Sequence, residues 1–392
     1  MLKIQFYYLY AIVLFVVIAC GGSSDESEEI IEQLDNENPV IVCVDPINIF
    51  IEANENGSIV NYTTPVGTDN LSGVVTEQTA GLPSGDVFPV GTTTNTFLAT
   101  DKAGNSTSCS FDITIERNAP SSDSPYFIED NNPLPTGKKW VKVEGLTDEF
   151  NENALDEVKW KNTDPSKWIG RAPGLFKKNT VSQAEGNLQL TANILSEPEV
   201  VNDVTFTHEG SNITSNTAAE VGYYFECRMK ANKTFMSSTF WLINVRNEGE
   251  GCDVRTTELD IQECVGQITS TDSWAQTTDR HMGYHMHSRN TTCTETPTGT
   301  VGGDTLIGGI ASEDYHVYAA WWKSSTEVQF FLDGKKVYSG SPEAEFNLKM
   351  YLRMVVETYD WNPVPDDGGM TGSEEDRTTY YDWVRTWKLE DE

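Results

Sequence analysis

The chain is predicted to be all-β, a small β-sandwich followed by a larger one of jelly-roll type. Two observations carry that expectation. Short runs of alternating apolar and polar residues recur between Gly, Asn and Pro turns, and no long amphipathic helix interrupts them. In residues 39–117 the runs include Ile49-Phe50-Ile51 and Ser110-Phe111-Asp112-Ile113-Thr114-Ile115, close enough together for one small sandwich. In residues 137–392 they recur at Tyr223–Lys230, Ser238–Asn244, Thr257–Cys264, Tyr284–Arg289, Tyr315–Trp322, Glu327–Leu332, Met350–Thr358 and Tyr380–Trp387. So many strands with so little helix fit two packed sheets of the jelly-roll kind. Residues 118–136, rich in Pro, Ser and Asn, read as a linker between the two sandwiches.

Ahead of both, Met1-Leu2-Lys3 supplies one positive charge, Ile12 to Ile18 is uninterrupted apolar sequence, and Ala19-Cys20 follows. The apolar run is short for a membrane-spanning helix. The pattern resembles a bacterial lipoprotein signal, residues 1–19, cleaved before a lipid-bearing Cys20. The acidic run from Gly21 to Glu29 is similar to the export signal of surface lipoproteins in Bacteroidetes. An outer-membrane lipoprotein exposed at the cell surface is therefore expected, with residues 20–38 as a disordered acidic tether.

Sixty acidic residues against 27 basic ones leave a formal net charge of -33. Such a surface repels nucleic acid, and it disfavours a densely sulfated ligand unless the cleft carries its own cations. A monomer is expected. With Cys20 lipidated, Cys43, Cys109, Cys227, Cys252, Cys264 and Cys293 remain for an oxidising compartment, and no pair has the C-x-x-C spacing of a zinc or redox site. Cys43 and Cys109, near the first and last strands of the small sandwich, are placed to join its ends. Cys252 and Cys293 lie in Gly- and Thr-rich loops as candidates for a second bridge. Three pairings of the last four cysteines stay open, and Cys227 equally suits a buried thiol.

The chemistry is concentrated in Arg255-Thr256-Thr257-Glu258-Leu259-Asp260-Ile261-Gln262-Glu263, where three carboxylates are spaced E-x-D-x-x-E. On a β-strand Glu258 and Asp260 share one face, Leu259 and Ile261 take the other, and Glu263 has the wrong parity. One extra residue at Ile261-Gln262, a β-bulge, turns Glu263 back beside the first two. Two carboxyl groups then flank one bond with an Asp between them, as in a glycosidase. Retaining glycosidases hold such a pair about 5 to 5.5 Å apart; one attacks the anomeric carbon, and the other protonates the leaving oxygen and later activates water. The nucleophile must be ionised while the acid is protonated, so their surroundings must separate the two pKa values, and Asp260 is placed to help. Trp241, in Phe240-Trp241-Leu242 on the preceding strand, offers a floor on which a sugar can stack. This chemistry requires no cofactor and no metal ligand is assigned; a structural calcium stays open.

Two stretches resemble known families. Val42-Cys43-Val44-Asp45-Pro46, Asp69-Asn70, Phe88-Pro89-Val90-Gly91-Thr92-Thr93-Thr94, Asp101-Lys102-Ala103-Gly104-Asn105 and Cys109-Ser110-Phe111 resemble the hyalin repeat. That implies an immunoglobulin-like sandwich over residues 39–117, used for spacing or adhesion. From Trp140 to Lys388 the chain resembles glycoside hydrolase family 16, through Asp148-Glu149-Phe150-Asn151, Gly186-Asn187-Leu188-Gln189-Leu190, Gly222-Tyr223-Tyr224-Phe225-Glu226, Phe240-Trp241-Leu242, the E-x-D-x-x-E stretch, Trp321-Trp322, Phe331-Leu332-Asp333-Gly334 and Tyr381-Asp382-Trp383-Val384-Arg385. The resemblance implies a concanavalin-like jelly roll over 137–392 and retaining, endo-acting hydrolysis, with Glu258 as nucleophile, Glu263 as acid/base and Asp260 as helper. Met236-Ser237-Ser238-Thr239, ahead of Phe240-Trp241-Leu242, is similar to β-agarases and β-porphyranases and unlike laminarinases. The implied substrates are the β-1,4-linked galactans of red algae, and Trp241 stands at their subsite tryptophan.

Other cleft candidates follow from parity and loop composition. His285, His287 and Arg289 share a strand face suited to sugar hydroxyls or a sulfate, although a buried His also serves simply as a core hydrogen-bonding group. Arg353 and Glu357 share another face, as cleft residues or as an internal ion pair. Trp168 and Arg171, in Trp168-Ile169-Gly170-Arg171-Ala172-Pro173, pair an aromatic with a cation for stacking and anion binding. Trp361 is a loop tryptophan of the same kind. Carrageenase, furcellaranase and laminarinase activities are the alternatives on this fold, and a non-catalytic carbohydrate-binding surface protein is the alternative of another class.

Overall fold

The computed structural model describes residues 35–51, 55, 57–117, 121–128, 131–246, 250–291, 293 and 295–392. The signal reading of residues 1–19, the lipidation of Cys20 and most of the 20–38 tether fall outside them. Among the described residues, helix is limited to short 3-10 turns, and no helix is long and apolar enough to cross a membrane. They divide into two compact units, one drawn from residues up to 46 with 61–85 and 94–112, the other from 47–60, 86–93 and 113–392.

The amino-terminal strands form a four-stranded sheet in the order Ile47–Ile51, Ser106–Arg117, Gly91–Thr100, Val75–Ala80, and a small ladder pairs Gly57–Ile59 with Val87–Pro89. Phe97 and Phe111 are buried, stacked 6.3 Å apart, with Tyr62 edge-on to each. Cys43 and Cys109 are disulfide-bonded with their Cα atoms 5.6 Å apart, closing a separation of 66 residues.

The larger sandwich stacks two sheets. One runs Val181–Ala184, Asn187–Thr191, Thr378–Asp391, Tyr224–Lys230, His316–Ser324, Glu327–Leu332, Lys335–Gly340, with Lys138–Lys142 also paired to Thr378–Asp391. The other runs Asn193–Val201, Val204–Ala219, Met350–Val356, Ser237–Ile243, Thr256–Val265, His281–Arg289, Gly299–Leu306, with two short strands on Val204–Ala219. Alternation decides which side chains face inward. Phe240 and Leu242, Leu259 and Ile261, Met282, Tyr284 and Met286, and Leu352, Met354 and Val356 enter the core against Tyr318, Trp322, Phe330 and Tyr381 of the facing sheet. Their neighbours of opposite parity, Trp241, Ile243 and Val355, form a separate cluster on the outer side of that sheet.

Each of the eight strands read in residues 137–392 overlaps one in the structure. The 16-residue strand Val204–Ala219 was not anticipated, nor were Asn193–Val201, Gly299–Leu306 and Lys335–Gly340. Their Ser, Thr, Asn and Gly content hides the alternation, because small polar side chains satisfy both faces of a sheet at little cost.

The stretch read as a linker is put to a different use. Within it, Phe127 packs on Tyr224 and Phe331, with ring centroids 5.0 and 5.4 Å away, and the Tyr126 N–H donates to Glu226 Oε2 at 2.9 Å. The physical reason is the sheet beneath. Tyr224, Trp321, Phe331 and Trp387 all point outward there, too large an apolar patch to leave in water. Glu226 is sealed under the strap. Burial pushes its pKa up to about 7, although Tyr126 and the Trp387 indole, at 2.8 Å, both donate to it.

The disulfide closing the amino-terminal module gives a direct test. On the chain-entropy account a loop of that length is worth about 4 kcal/mol, so Cys43→Ser should lower the denaturant midpoint of the module's transition by an equivalent amount. The transition of the larger sandwich should not move.

Candidate active site

The active strand departs from regular pairing at one point. On one side Trp241 is opposite Asp260 and Phe240 opposite Gln262, so Ile261 is skipped. On the other, Asp260 is opposite His285 while Glu263 is opposite Gly283, again with one residue too many. This is the bulge expected at Ile261-Gln262, and it resets the parity. Leu259, Ile261 and Cys264 lie in the core, while Glu258, Asp260 and Glu263 line one cavity of about 230 Å³. Trp168, Arg171, Trp241, Arg246, Arg289 and Glu357 complete its walls. Gly283 leaves room beside Glu263: a Cβ there would lie 2.8 Å from the Glu263 carbonyl oxygen.

Each acid has its own surroundings. Arg289 donates to Glu258 Oε1. Asp260 is sealed in, and burial, followed by the charges of Glu263 and Glu258, pushes its pKa well above the usual carboxylate range; His287 Nε2 lies 3.0 Å from its Oδ2. Burial acts to raise Glu263 as well, but hydrogen bonds from His285 and from the Tyr359 hydroxyl, 2.8 Å from Oε1, outweigh it and hold the carboxyl below its ordinary value. His285 moves the opposite way. Burial alone would lower it, yet Glu263, 3.5 Å from Nδ1, raises it above the ordinary imidazole value. The two groups therefore favour each other's charged forms. His287 is lowered by burial, and its Nδ1 is 2.7 Å from the Thr300 hydroxyl.

Glu357 is a further buried acid. Burial, opposed by Arg171 and reinforced by Glu263 and Glu258, pushes it up to about 8. At neutral pH the proton is mostly on Glu357, and the 3.5 Å approach of Arg171 Nε is then a charge–dipole contact more than an ion pair.

The remaining candidates separate into layers. Trp241, Trp168 and Arg171 line the cavity, and Trp168 meets Trp241 edge-on at 5.9 Å. Arg353 is not at the surface of the cleft. It is 2% exposed, ion-paired to the buried Asp164 at 2.7 Å, and stacked 4.9 Å behind the Trp241 ring, so it supports that indole from below. The internal pair is thus Arg353–Asp164, not Arg353–Glu357. His285 and His287 lie against the acids on the neighbouring strand. Trp361 stacks on Tyr359 at 5.1 Å, one layer out from Glu263. Sequence reasoning missed Arg246, Asp164 and Tyr359. Only Tyr359 had a legible signal, since it continues the parity of Arg353 and Glu357 by two residues; the other two lie in loops with no periodicity.

Two groups among the described residues have donor atoms close enough to hold a metal ion: Asp260, His285 and His287 in the cleft, and Asp35, Asp69 and Asp101 in the amino-terminal module. In the first, His285 Nδ1 lies 3.5 Å from Glu263, and His287 lies 3.0 Å from Asp260 Oδ2 and 2.7 Å from the Thr300 hydroxyl; in the second, Asp101 accepts from the Asn105 backbone and side chain. Cys252 and Cys293 are disulfide-bonded, with Cα atoms 5.0 Å apart, and Cys227 and Cys264 are buried free thiols.

Residues 140–389 match the family model of the beta-porphyranase A–D domain of glycoside hydrolase family 16. The chain belongs to this family. Residues 34–115 match the HYR domain. Beta-porphyranase B of Zobellia galactanivorans is 52% identical over 271 residues, covering 69% of this chain and 92% of that protein. Beta-porphyranase B of Phocaeicola plebeius is 34% identical, covering 65% and 86%. The crystal structure of the Zobellia porphyranase B superposes with a TM-score of 0.67, covering 69% of this chain and all of that one. Beta-agarase B in complex with agaro-octaose, 19% identical with a TM-score of 0.53, shares the fold.

Glu357 predicts a pH dependence of stability for the family domain. Its folded pKa of about 8 exceeds the ordinary value of 4.5, so the folded state holds a proton that the unfolded chain releases. Its contribution is intact below pH 4.5 and is lost as pH rises through about 8. Glu357→Gln should flatten the fall in melting temperature across that window and raise stability at its alkaline end.

Proposed function

We propose that this chain is a retaining endo-hydrolase of β-1,4-galactosidic bonds in red-algal galactan, and that porphyran is its preferred galactan. The observation that carries the choice is electrostatic. In a chain of net charge -33, three guanidinium groups, Arg171, Arg246 and Arg289, converge on one small cavity beside two indoles. Planar cations next to apolar ring faces suit a sugar bearing a sulfate ester. The relatives' names support the same reading.

Glu258 is the nucleophile, held by Arg289, and attacks the anomeric carbon from the floor of the cleft. Glu263 is the acid/base. Its proton comes from His285, and as substrate excludes water the pair can place it on the carboxyl, which gives it to the departing glycosidic oxygen. The ionised Glu263 then takes a proton from water, which attacks the glycosyl–Glu258 ester and releases the sugar with its original configuration. Asp260, pushed by burial toward its neutral form, keeps the mutual repulsion of the two acids down.

The same reading places the protein on the outer membrane through a lipidated Cys20, as a monomer, with the HYR domain as a spacer between membrane and catalytic domain. Globomycin, which blocks lipoprotein signal cleavage, should leave an unprocessed precursor, and Cys20→Ser should release the protein from the membrane fraction.

For the reaction, Glu258→Gln should lower cleavage of porphyran by more than about a thousandfold while leaving sedimentation with the polymer unchanged. Incubation with porphyran, agarose, carrageenans and laminarin should give oligosaccharides from porphyran fastest. Oligomers from laminarin alone would overturn the galactan assignment, and binding without cleavage would overturn the enzyme.

A further inference from the structure

Trp274 is the most exposed of the ten tryptophans, 57% accessible, although it belongs to neither the core nor the cavity around the acids. An indole left in water forgoes a large burial gain and calls for a reason. Its surroundings supply one. The ring meets Trp361 at 4.9 Å, Trp361 stacks on Tyr359 at 5.1 Å, and the Tyr359 hydroxyl donates to Glu263 Oε1 at 2.8 Å. A continuous aromatic ladder therefore runs from the carboxyl of Glu263 outward to an exposed indole.

Hydrogen bonds tie the loops that carry the ladder together. Asn362, fully buried, ties the loop before Trp274 to the segment bearing Tyr359 and Trp361. Its Oδ1 accepts from the Thr269 N–H at 2.8 Å, the Thr269 hydroxyl at 3.0 Å and the Ser270 N–H at 3.1 Å, while its Nδ2 donates to the carbonyls of Phe235 at 2.8 Å and Gln267 at 3.0 Å. Gln276 Nε2 closes the loop on the carbonyls of Ser270 and Asp272. An exposed aromatic held this firmly loses little entropy when a ligand stacks on it.

We propose that Trp274 is a substrate-binding residue, a platform on which a pyranose ring of the polysaccharide stacks on the acid/base side of the scissile bond. This rests on the functional reading above. Because Glu263 protonates the departing oxygen, a ring stacked beyond it belongs to the leaving-group half of the chain. Trp361 and Tyr359 act as positioning residues, holding the platform level with the acid.

The test uses the full chain on porphyran. If the unaltered protein releases no oligosaccharides, the functional reading falls, and the Trp274 proposal that rests on it falls with it. If it cleaves, Trp274→Ala should raise KM for the polymer by about three- to tenfold, with kcat moving much less, and should shift the product pattern on defined oligosaccharides. Trp274→Phe should restore most of the affinity. The melting temperature should not change in either variant, since the ring is mostly in water. An unchanged KM and product pattern for Trp274→Ala, or a raised KM that Phe fails to rescue, would overturn the proposal.

Discussion

A strand side chain alternates with a period of two, so residues 258 and 263 belong on opposite faces of any regular sheet. The extra residue at Ile261-Gln262 breaks that rule on both flanks of the strand, against Phe240-Trp241 on one side and His285 to Gly283 on the other. Everything at the site depends on this local defect. Without it Glu263 would point into a core of Phe240, Leu259 and Met282, and Cys264 would face the cleft. The bulge is tolerated because its neighbours accommodate it: Leu259 and Ile261 remain buried on one side, Cys264 on the other, and Gly283 leaves the space that the displaced strand needs.

With the carboxyls gathered, their charges become the difficulty. Glu258, Asp260, Glu263 and Glu357 border one cavity, and four ionised acids so close together would repel strongly. The structure distributes protons and cations instead. Burial pushes the pKa values of Asp260 and Glu357 up, Arg289 binds Glu258, and hydrogen bonds from His285 and the Tyr359 hydroxyl hold Glu263 down. The same burial that stabilises the neutral acids excludes the solvent that would otherwise level their pKa values.

Much of this was legible in the sequence, and for identifiable reasons. The alternation of Leu259, Ile261, Met286, Leu352 and Met354 is strong because one face is wholly apolar, and the need for a bulge followed from the spacing of the three acids alone. The long Val204–Ala219 strand was not legible, since Ser, Thr and Asn mark turns as readily as central strands. Nor was the strap at Tyr126 and Phe127, whose Pro- and Ser-rich setting resembles any linker until the aromatic face beneath it is seen. Pairwise long-range contacts were the hardest to read. Arg353 was visible as a cleft-side residue, but its partner Asp164 lies 189 positions away in a loop, and no periodicity connects them.

The bulge brings Glu258 and Glu263 to one face and one cavity, where they are proposed to act as nucleophile and acid of a double displacement. Stereochemistry reports on that arrangement directly. Proton NMR of porphyran during the first minutes of digestion should show the β-anomer of the new reducing-end galactose first, followed by slow mutarotation to the α-anomer. Initial appearance of the α-anomer would mean single displacement by water, and would contradict the account.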